Sequence, residues 1–526
     1  MEITRRSTLG AALGAPLALA TPAAAQPARL LRFVPHANLT SLDPVWTTAW
    51  VTRNHAYMVY DTLYSMGGDL SARPQMAEGH VWEDDGKRIT ITLRPGLKFH
   101  DGEPVRARDV MASITRWGRR DSFGQIAMGL LAEMTAPDDR RVVLRFNSPF
   151  PLLLDAMAKV APLFIMPERF AQVDAFTQVT EAVGSGPYRF LRGEWVPGSR
   201  SVYERFADYA PRDEPAEMLA GGKRAGFDRI EWRIMPDPAT AAAALQAGEV
   251  DWWENPSFDL IPLLNRNRQV QVEQIEVFGS VCTMRPNQLH PPFSNAEFRR
   301  AILLALSQSD VMQAVAGTDR SRWHTPMGFF TPGTPLASDA GMAPVSGPRT
   351  QDAARRAIEA SGYRGEKLVF LHSTDIATLD SQSHVMADLF RRLGVNLDHV
   401  STDWGTTVQR RANRNAPDQG GWSAFCTNIS GADGLMPATH ALLRANGANA
   451  WFGWPESAAI EEGIQAWFAA PDLARQQAAA REIQAAAFRD LPYYPLGTFR
   501  QPYAFRRDVT GLVRAPIPVL WNVGKG

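Results

Sequence analysis

The chain has 526 residues, 45% of them hydrophobic and 21% charged, and its 55 basic side chains are balanced by 55 acidic ones. That length exceeds what one core holds, so two or three lobes are expected, in a composition ordinary for a water-soluble globular protein. Zero net charge gives no global field for nucleic acid or an anionic membrane, so neither is expected as a partner.

Residues 1–26 read as an export leader: Arg5-Arg6, an apolar stretch from Ala11 to Ala20, and Ala23-Ala24-Ala25 before Gln26-Pro27. The paired arginines are similar to a twin-arginine signal, although Thr8 stands where a bulky apolar residue is usual. A Sec signal with an incidental Arg-Arg is the alternative. Either way the working protein is expected to begin near Gln26 and to act outside the cytoplasm. Beyond the leader no apolar run approaches the ~18 residues needed to span a bilayer. Neither cysteine, Cys282 or Cys426, sits at the cleavage site, which excludes a lipid anchor there. In an oxidising compartment the two are open to pairing; two buried thiols are the other reading.

Arg29 to Val34 reads as a first strand, followed by a turn at Ser41-Leu42-Asp43-Pro44. Apolar spacing predicts a helix from Trp50 to Tyr64 with Tyr57, Tyr60 and Tyr64 on one side. Arg88 to Leu93 alternates as a half-buried strand, and turn dipeptides flank Leu97-Lys98-Phe99. A helix over Asp109 to Trp117 and a strand over Arg141 to Phe146 come next. After the break at Gly184-Ser185-Gly186-Pro187, strands are expected at Tyr188 to Phe190 and Phe227 to Met235. Asp237 and Pro238 then open an alanine-rich helix that Gly248 closes, and Glu249 to Trp253 returns as a strand, making a crossover unit.

Ser294-Asn295-Ala296-Glu297 reads as a capping box opening a helix with Phe298, Ala301, Ile302, Ala305 and Leu306 on one face. Helices at Ala353 to Ser361, His384 to Leu393, Ser457 to Phe468 and Leu473 to Leu491 complete the second half. Strands are expected at Leu368 to Leu371 and Val395 to Leu397. The ten histidines show no close pair at metal-ligand spacing. No Gly-x-Ser-x-Gly, His-Glu-x-x-His or Cys-x-x-Cys is present, so a secreted hydrolase is the minor alternative.

The order of several short motifs resembles the family 5 solute-binding proteins of ABC importers, the peptide- and nickel-binding group. They are Ser41-Leu42-Asp43-Pro44, Leu93-Arg94-Pro95-Gly96-Leu97-Lys98-Phe99-His100-Asp101-Gly102, Arg108-Asp109-Val110, Gly184-Ser185-Gly186-Pro187-Tyr188 and Ala247-Gly248-Glu249-Val250-Asp251. Pro292-Phe293-Ser294, Arg299-Arg300-Ala301-Ile302 and Leu491-Pro492-Tyr493-Tyr494-Pro495-Leu496 follow. The resemblance implies an α/β, two-lobed periplasmic binding protein fold of type II with an extra domain set into the first lobe. The first lobe would take residues 27–72, 187–276 and 500–526, the extra domain 73–186, and the second lobe 277–499. It further implies a soluble, monomeric periplasmic protein that captures a small solute between its lobes and hands it to membrane permease subunits. No catalytic residue, cofactor or metal is expected, and a chemosensory role is the alternative within binding proteins.

In the peptide-binding relatives a Gly-Trp-x-x-Asp stretch pairs a carboxylate with the peptide's amino terminus. The matching stretch is Gly421-Trp422-Ser423-Ala424-Phe425, which places Phe425 where that Asp would be. An unpaired buried ammonium costs several kcal/mol, so this departure argues against ordinary peptide binding. Asp433, eight residues on, reads as a loop carboxylate, with a reach back to that position as the alternative. Trp422 and Phe425 are the foremost expected contacts. Trp404 follows, and Arg285 and Asn287 are expected near the cleft rim. For each aromatic, core packing is the competing role.

Overall fold

The computed structural model describes residues 29–470 and 472–526. The expected leader therefore lies outside the described residues. Three main sheets organise the chain. The first has seven strands, among them Leu30–Val34, Arg229–Arg233, Trp252–Trp253 and Tyr503–Arg506. Leu30–Val34 runs parallel to both Arg229–Arg233 and Trp252–Trp253, so it fills the gap between the two strands of the crossover unit. The connecting helix, Pro238–Ala247, starts on Asp237, which accepts from the Thr240 N–H. It stops at Gly248, whose φ of 76° is the left-handed cap the sequence calls for.

A four-stranded antiparallel sheet carries Arg88–Leu93 at its centre, with Ile89, Ile91 and Leu93 buried. The third sheet has six strands in the order Trp323–His324, Tyr494–Phe499, Ser280–Pro286, Ala424–Ser430, Leu368–Ser373 and Leu397–Thr402. Phe123 and Phe150 of the four-stranded part pack on Phe468 of the Ala458–Ala469 helix, joining this part to the six-stranded one.

The helix predicted to Tyr64 ends at Val59, and Tyr60 is extended. Two motifs meet at this end. Gly186 donates its N–H to Val59 O at 2.9 Å, and a Cβ on Gly184 would lie 2.0 Å from the same carbonyl. His100 donates its N–H to Gly184 O at 2.8 Å, with Nε2 3.0 Å from Gly186 O. Both motifs thus act as a brace, outside the lining of the large cavity described below. The capping box at Ser294 is corrected: Asn295 is the cap, its Oδ1 accepting from the Glu297 and Phe298 N–H groups. The Ser294 N–H is already bonded to His290 O.

Cys282 and Cys426 are free and buried. They lie on neighbouring strands, but Cys282 faces Asn428 and Cys426 faces Met284. Such diagonal partners have Cα atoms about 7–8 Å apart, beyond the reach of an unstrained disulfide. Burial pushes the Cys426 thiol up to about 12.

Candidate ligand-binding cleft

The loop after the first strand enters the space between the two large sheets and is pinned from behind. Asp43 Oδ2 pairs with Arg116 Nη2 at 2.6 Å and accepts from the Val179 N–H, both side chains being fully buried. Asp43 Oδ1 accepts from the N–H groups of Val45 and Trp46. Residues 45–48 are thereby held along one wall of a cavity of about 430 Å³, a volume usual for a small-molecule site. The Trp50–Val59 helix follows and adds Trp50 and Arg53. The Ala107–Arg120 helix brings Trp117 and Arg120, and Lys159 and Asp121 lie beside them. The opposite wall comes from the six-stranded side: Thr378, Leu379, Trp404, Arg411, Asn428, Asp433, His440, Trp451 and Trp454.

The walls touch one another. Trp451 Nε1 donates to Thr48 Oγ1 at 3.1 Å, Arg411 Nη2 to Thr47 Oγ1 at 3.3 Å, and Arg444 Nη1 to Ser122 O at 2.9 Å. These bonds bridge segments far apart in sequence and hold the two walls together.

Charge in the lining is unbalanced. Lys159 is committed to Asp121 at 2.6 Å, Arg444 to Glu461 at 2.7 Å, and Arg119 to Asp174 at 3.8 Å. That leaves Arg53, Arg120, Arg411 and Arg414 in the lining with no ion pair among the described residues, and one further carboxylate, Asp433, whose charge acts on Arg53. Arg120 donates to Trp46 O and Arg414 to Ala448 O. Arg53 and Arg411 each keep a buried Nε with no partner. Burial lowers Arg53, with Asp433 opposing. Burial, helped by the neighbouring Arg120 charge, pushes Arg411 down to about 9. The Arg411 guanidinium lies over Trp404, Trp451 and Phe452, at 5.4, 5.0 and 4.8 Å from their ring centroids. Aromatic faces offset part of the cost of that buried charge, but they do not replace an anion. Burial raises the Asp433 carboxyl, against the pull of Arg53 and Lys159, and its Oδ2 accepts from the Ser430 N–H.

Of the residues singled out from sequence, Trp404 lines the cavity. Trp422 and Phe425 lie one layer behind it. Trp422 is fully buried and its Nε1 donates to the carbonyls of Arg411 and Asn413, so it holds the Arg411 backbone. Phe425 packs between Trp422 and Trp451. The rim position expected for Arg285 and Asn287 is corrected, because both are buried. Arg285 sits on a central strand and gives its guanidinium to the carbonyls of Phe452, Leu442, Pro492 and Trp451 at 2.6, 2.7, 2.6 and 3.0 Å. Asn287 Nδ2 donates to Trp422 O at 2.9 Å.

Sequence reasoning missed Arg53, Arg120 and Arg411, and it set Asp433 aside as a loop residue. One signal was present: Arg53 stands three residues after Trp50 and four before Tyr57, a cation on an otherwise apolar, aromatic helix face. Asp433 borders the cavity, whereas Phe425 does not.

Residues 71–449 match the family of bacterial extracellular solute-binding proteins, family 5 Middle. The chain belongs to this family. It is 36% identical, over the whole length of both chains, to a probable peptide ABC transporter periplasmic-binding protein, y4tO, of Sinorhizobium fredii. In fold it is similar to AgaA of A. tumefaciens R10, solved with agropinic acid, at a TM-score of 0.78 and 20% identity over 94% of this chain and 99% of that one. A dipeptide-binding protein of Pseudoalteromonas sp. SM9913, solved with Met-Leu, aligns at 0.77 and 20% identity over 95% of this chain and 100% of that one.

The fold is therefore the two-lobed type II arrangement of family 5, and the chain is a solute-binding component of an ABC transporter rather than an enzyme. No helix among the described residues is long and apolar enough to cross a membrane.

Proposed function

We propose that this family 5 protein captures a small, carboxylate-bearing, amino-acid-derived solute in the cleft and passes it to permease subunits at the inner membrane. The observation that carries this reading is Arg411, a buried guanidinium in the cavity wall with no carboxylate beside it. A ligand carboxylate would satisfy Arg411 and Arg53, while Asp433, a described lining carboxylate outside any ion pair, is available to an ammonium. The volume suits a solute of dipeptide or opine size. Relatives described with peptide, Met-Leu and agropinic acid are in keeping with such chemistry. Within this reading, residues 27–72, 187–276 and 500–526 form the first lobe, 73–186 the extra domain and 277–499 the second lobe. The protein acts as a soluble periplasmic monomer.

Delivery depends on closure, since a ligand shifts the lobes only through its preference for the closed state. The bonds from Trp451 to Thr48 and from Arg411 to Thr47 make Arg411 part of both contacts, ligand and closure. Native mass spectrometry of gently purified protein, followed by denaturation and identification of the released molecule, tests the proposal. A stoichiometric acid of this class supports it. A neutral sugar or a purely cationic compound would rule it out.

A further inference from the structure

Histidines that are scattered in the sequence meet at one edge of the six-stranded sheet. His372 lies on Leu368–Ser373 and His399 on the neighbouring edge strand, Leu397–Thr402. Asp380 and His384 stand one turn apart on the Ala377–Arg392 helix, which packs on both strands. The His372 ring is buried, with Nε2 2.7 Å from Asp380 Oδ1 and Nδ1 2.7 Å from His399 Nε2. His384 Nε2 is 3.5 Å from the same Asp380 oxygen. One donor atom from each of His372, Asp380 and His384 lies within 4.8 Å of the other two.

We propose that His372, Asp380 and His384 form a site for a borderline divalent cation of the zinc, nickel, cobalt and copper group, separate from the solute cleft. Metal–nitrogen and metal–oxygen bonds of about 2.0–2.2 Å set neighbouring donor atoms roughly 2.8–3.6 Å apart, from octahedral to tetrahedral angles. The spacings from Asp380 to His372 and His384, 2.7 and 3.5 Å, lie close to the two ends of that range, and side-chain rotation of the exposed His384 adjusts the third. Two imidazoles and one carboxylate favour these cations over magnesium or calcium, which prefer oxygen cages. His372 is the buried anchor and His384 is exposed, so the remaining coordination positions face water. None of the three lines the cleft.

A ligating imidazole needs its other nitrogen held, and His399 is placed for this. The His399 ring meets His372 edge to edge in nearly the same orientation, with centroids 4.9 Å apart and planes 9° apart, as an N–H···N bond between them requires. Without a cation, Arg391 sets the direction of the chain. Its guanidinium can only donate, so His399 Nδ1 accepts at 2.9 Å. His399 Nε2–H then donates to His372 Nδ1, and His372 Nε2–H donates to Asp380. A cation on His372 Nε2 reverses this order. The proton leaves Nε2, His372 Nδ1–H donates to His399 Nε2, and His399 carries its proton on Nδ1. That proton faces Arg391, which is exposed and turns away to water. Arg391 therefore opposes metal entry twice, through tautomer and through charge.

The test uses purified, untagged protein stripped with a chelator and titrated with zinc chloride, then with nickel chloride, against a chromophoric competitor. One equivalent is expected to bind. H384A alters an exposed side chain with little risk to folding, and it should weaken binding at least about tenfold. R391A should tighten binding severalfold. H36Q, at a histidine that lines the cleft, should leave affinity unchanged. Absence of saturable binding, equal affinity in wild type and H384A, or loss of binding in H36Q would each overturn the proposal.

Discussion

Arg285 and Arg411 lie on the same tryptophan, 5.4 and 5.0 Å from the Trp451 ring, and burial lowers each to about 9. Their surroundings differ. Arg285 sits behind the cleft wall and gives its hydrogens to four backbone carbonyls, tying its strand to the segments around Leu442, Trp451 and Pro492. Arg411 sits in the wall, with one long bond to Thr47 and an orphaned Nε. A guanidinium that the fold satisfies is architecture. One that the fold leaves short of acceptors awaits an anion from outside.

The contrast breaks most visibly at Arg285. R285M takes the side-chain donor from four carbonyls, of which Trp451 O keeps the Trp454 N–H while those of Leu442 and Pro492 are left buried, and leaving even one such group unsatisfied costs ~1–3 kcal/mol. Urea unfolding is expected to show a loss of more than about 3 kcal/mol. R411M should behave in the opposite way. Removing a buried, underpaired charge leaves apo stability level or higher, whereas solute affinity falls by about 2–5 kcal/mol, as for a truncated buried charge pair. Calorimetry together with urea melts separates the two. Equal destabilisation by both substitutions would erase the distinction.

A third difference concerns pH. His440 borders the Arg285 node: its Nε2 is 3.0 Å from Phe329 O and 2.8 Å from the Tyr493 hydroxyl. Burial pushes it down to about 3. The unfolded chain takes up this proton near 6.5 and the native one does not, so stability is full above 6.5 and falls as pH drops toward 3. The slope approaches ~1.4 kcal/mol per pH unit from this residue alone. Burial lowers His55 and His100 in the same direction, steepening the fall. H440Q should reduce the slope measured between pH 6.5 and 4.5 by close to one proton; an unaltered slope would contradict the assignment. The smallest effect is expected at the thiols. Cys282 and Cys426 are buried and unpaired, so a reductant should leave the melting temperature unchanged, and Ellman's reagent should label neither until the protein unfolds.

What the sequence disclosed follows the range of the forces involved. Arg88–Leu93 was legible to the residue because its alternation is local and one face is buried. The Asp237 and Gly248 caps were legible for the same reason. The helix expected from His384 begins at Ala377, since Ala377 to Ser383 mixes small and polar residues whose helicity comes from packing on the sheet. The motif series was enough to indicate the family, yet those motifs form braces such as His100 against Gly184 and Gly186. The cleft draws its lining from at least six separate stretches of the chain, so no spacing announces it. Nor can spacing distinguish Arg285 from Arg411, because the difference lies in carbonyls about 160 or more residues away.

The central claim, that Arg411 pairs with a carboxylate of the solute, is tested most directly by calorimetric titration of the released solute and its carboxamide against wild type and R411M. Converting the acid to the amide should cost wild type about 2–5 kcal/mol and R411M almost nothing. An equal penalty in both proteins, or none in either, would contradict the account.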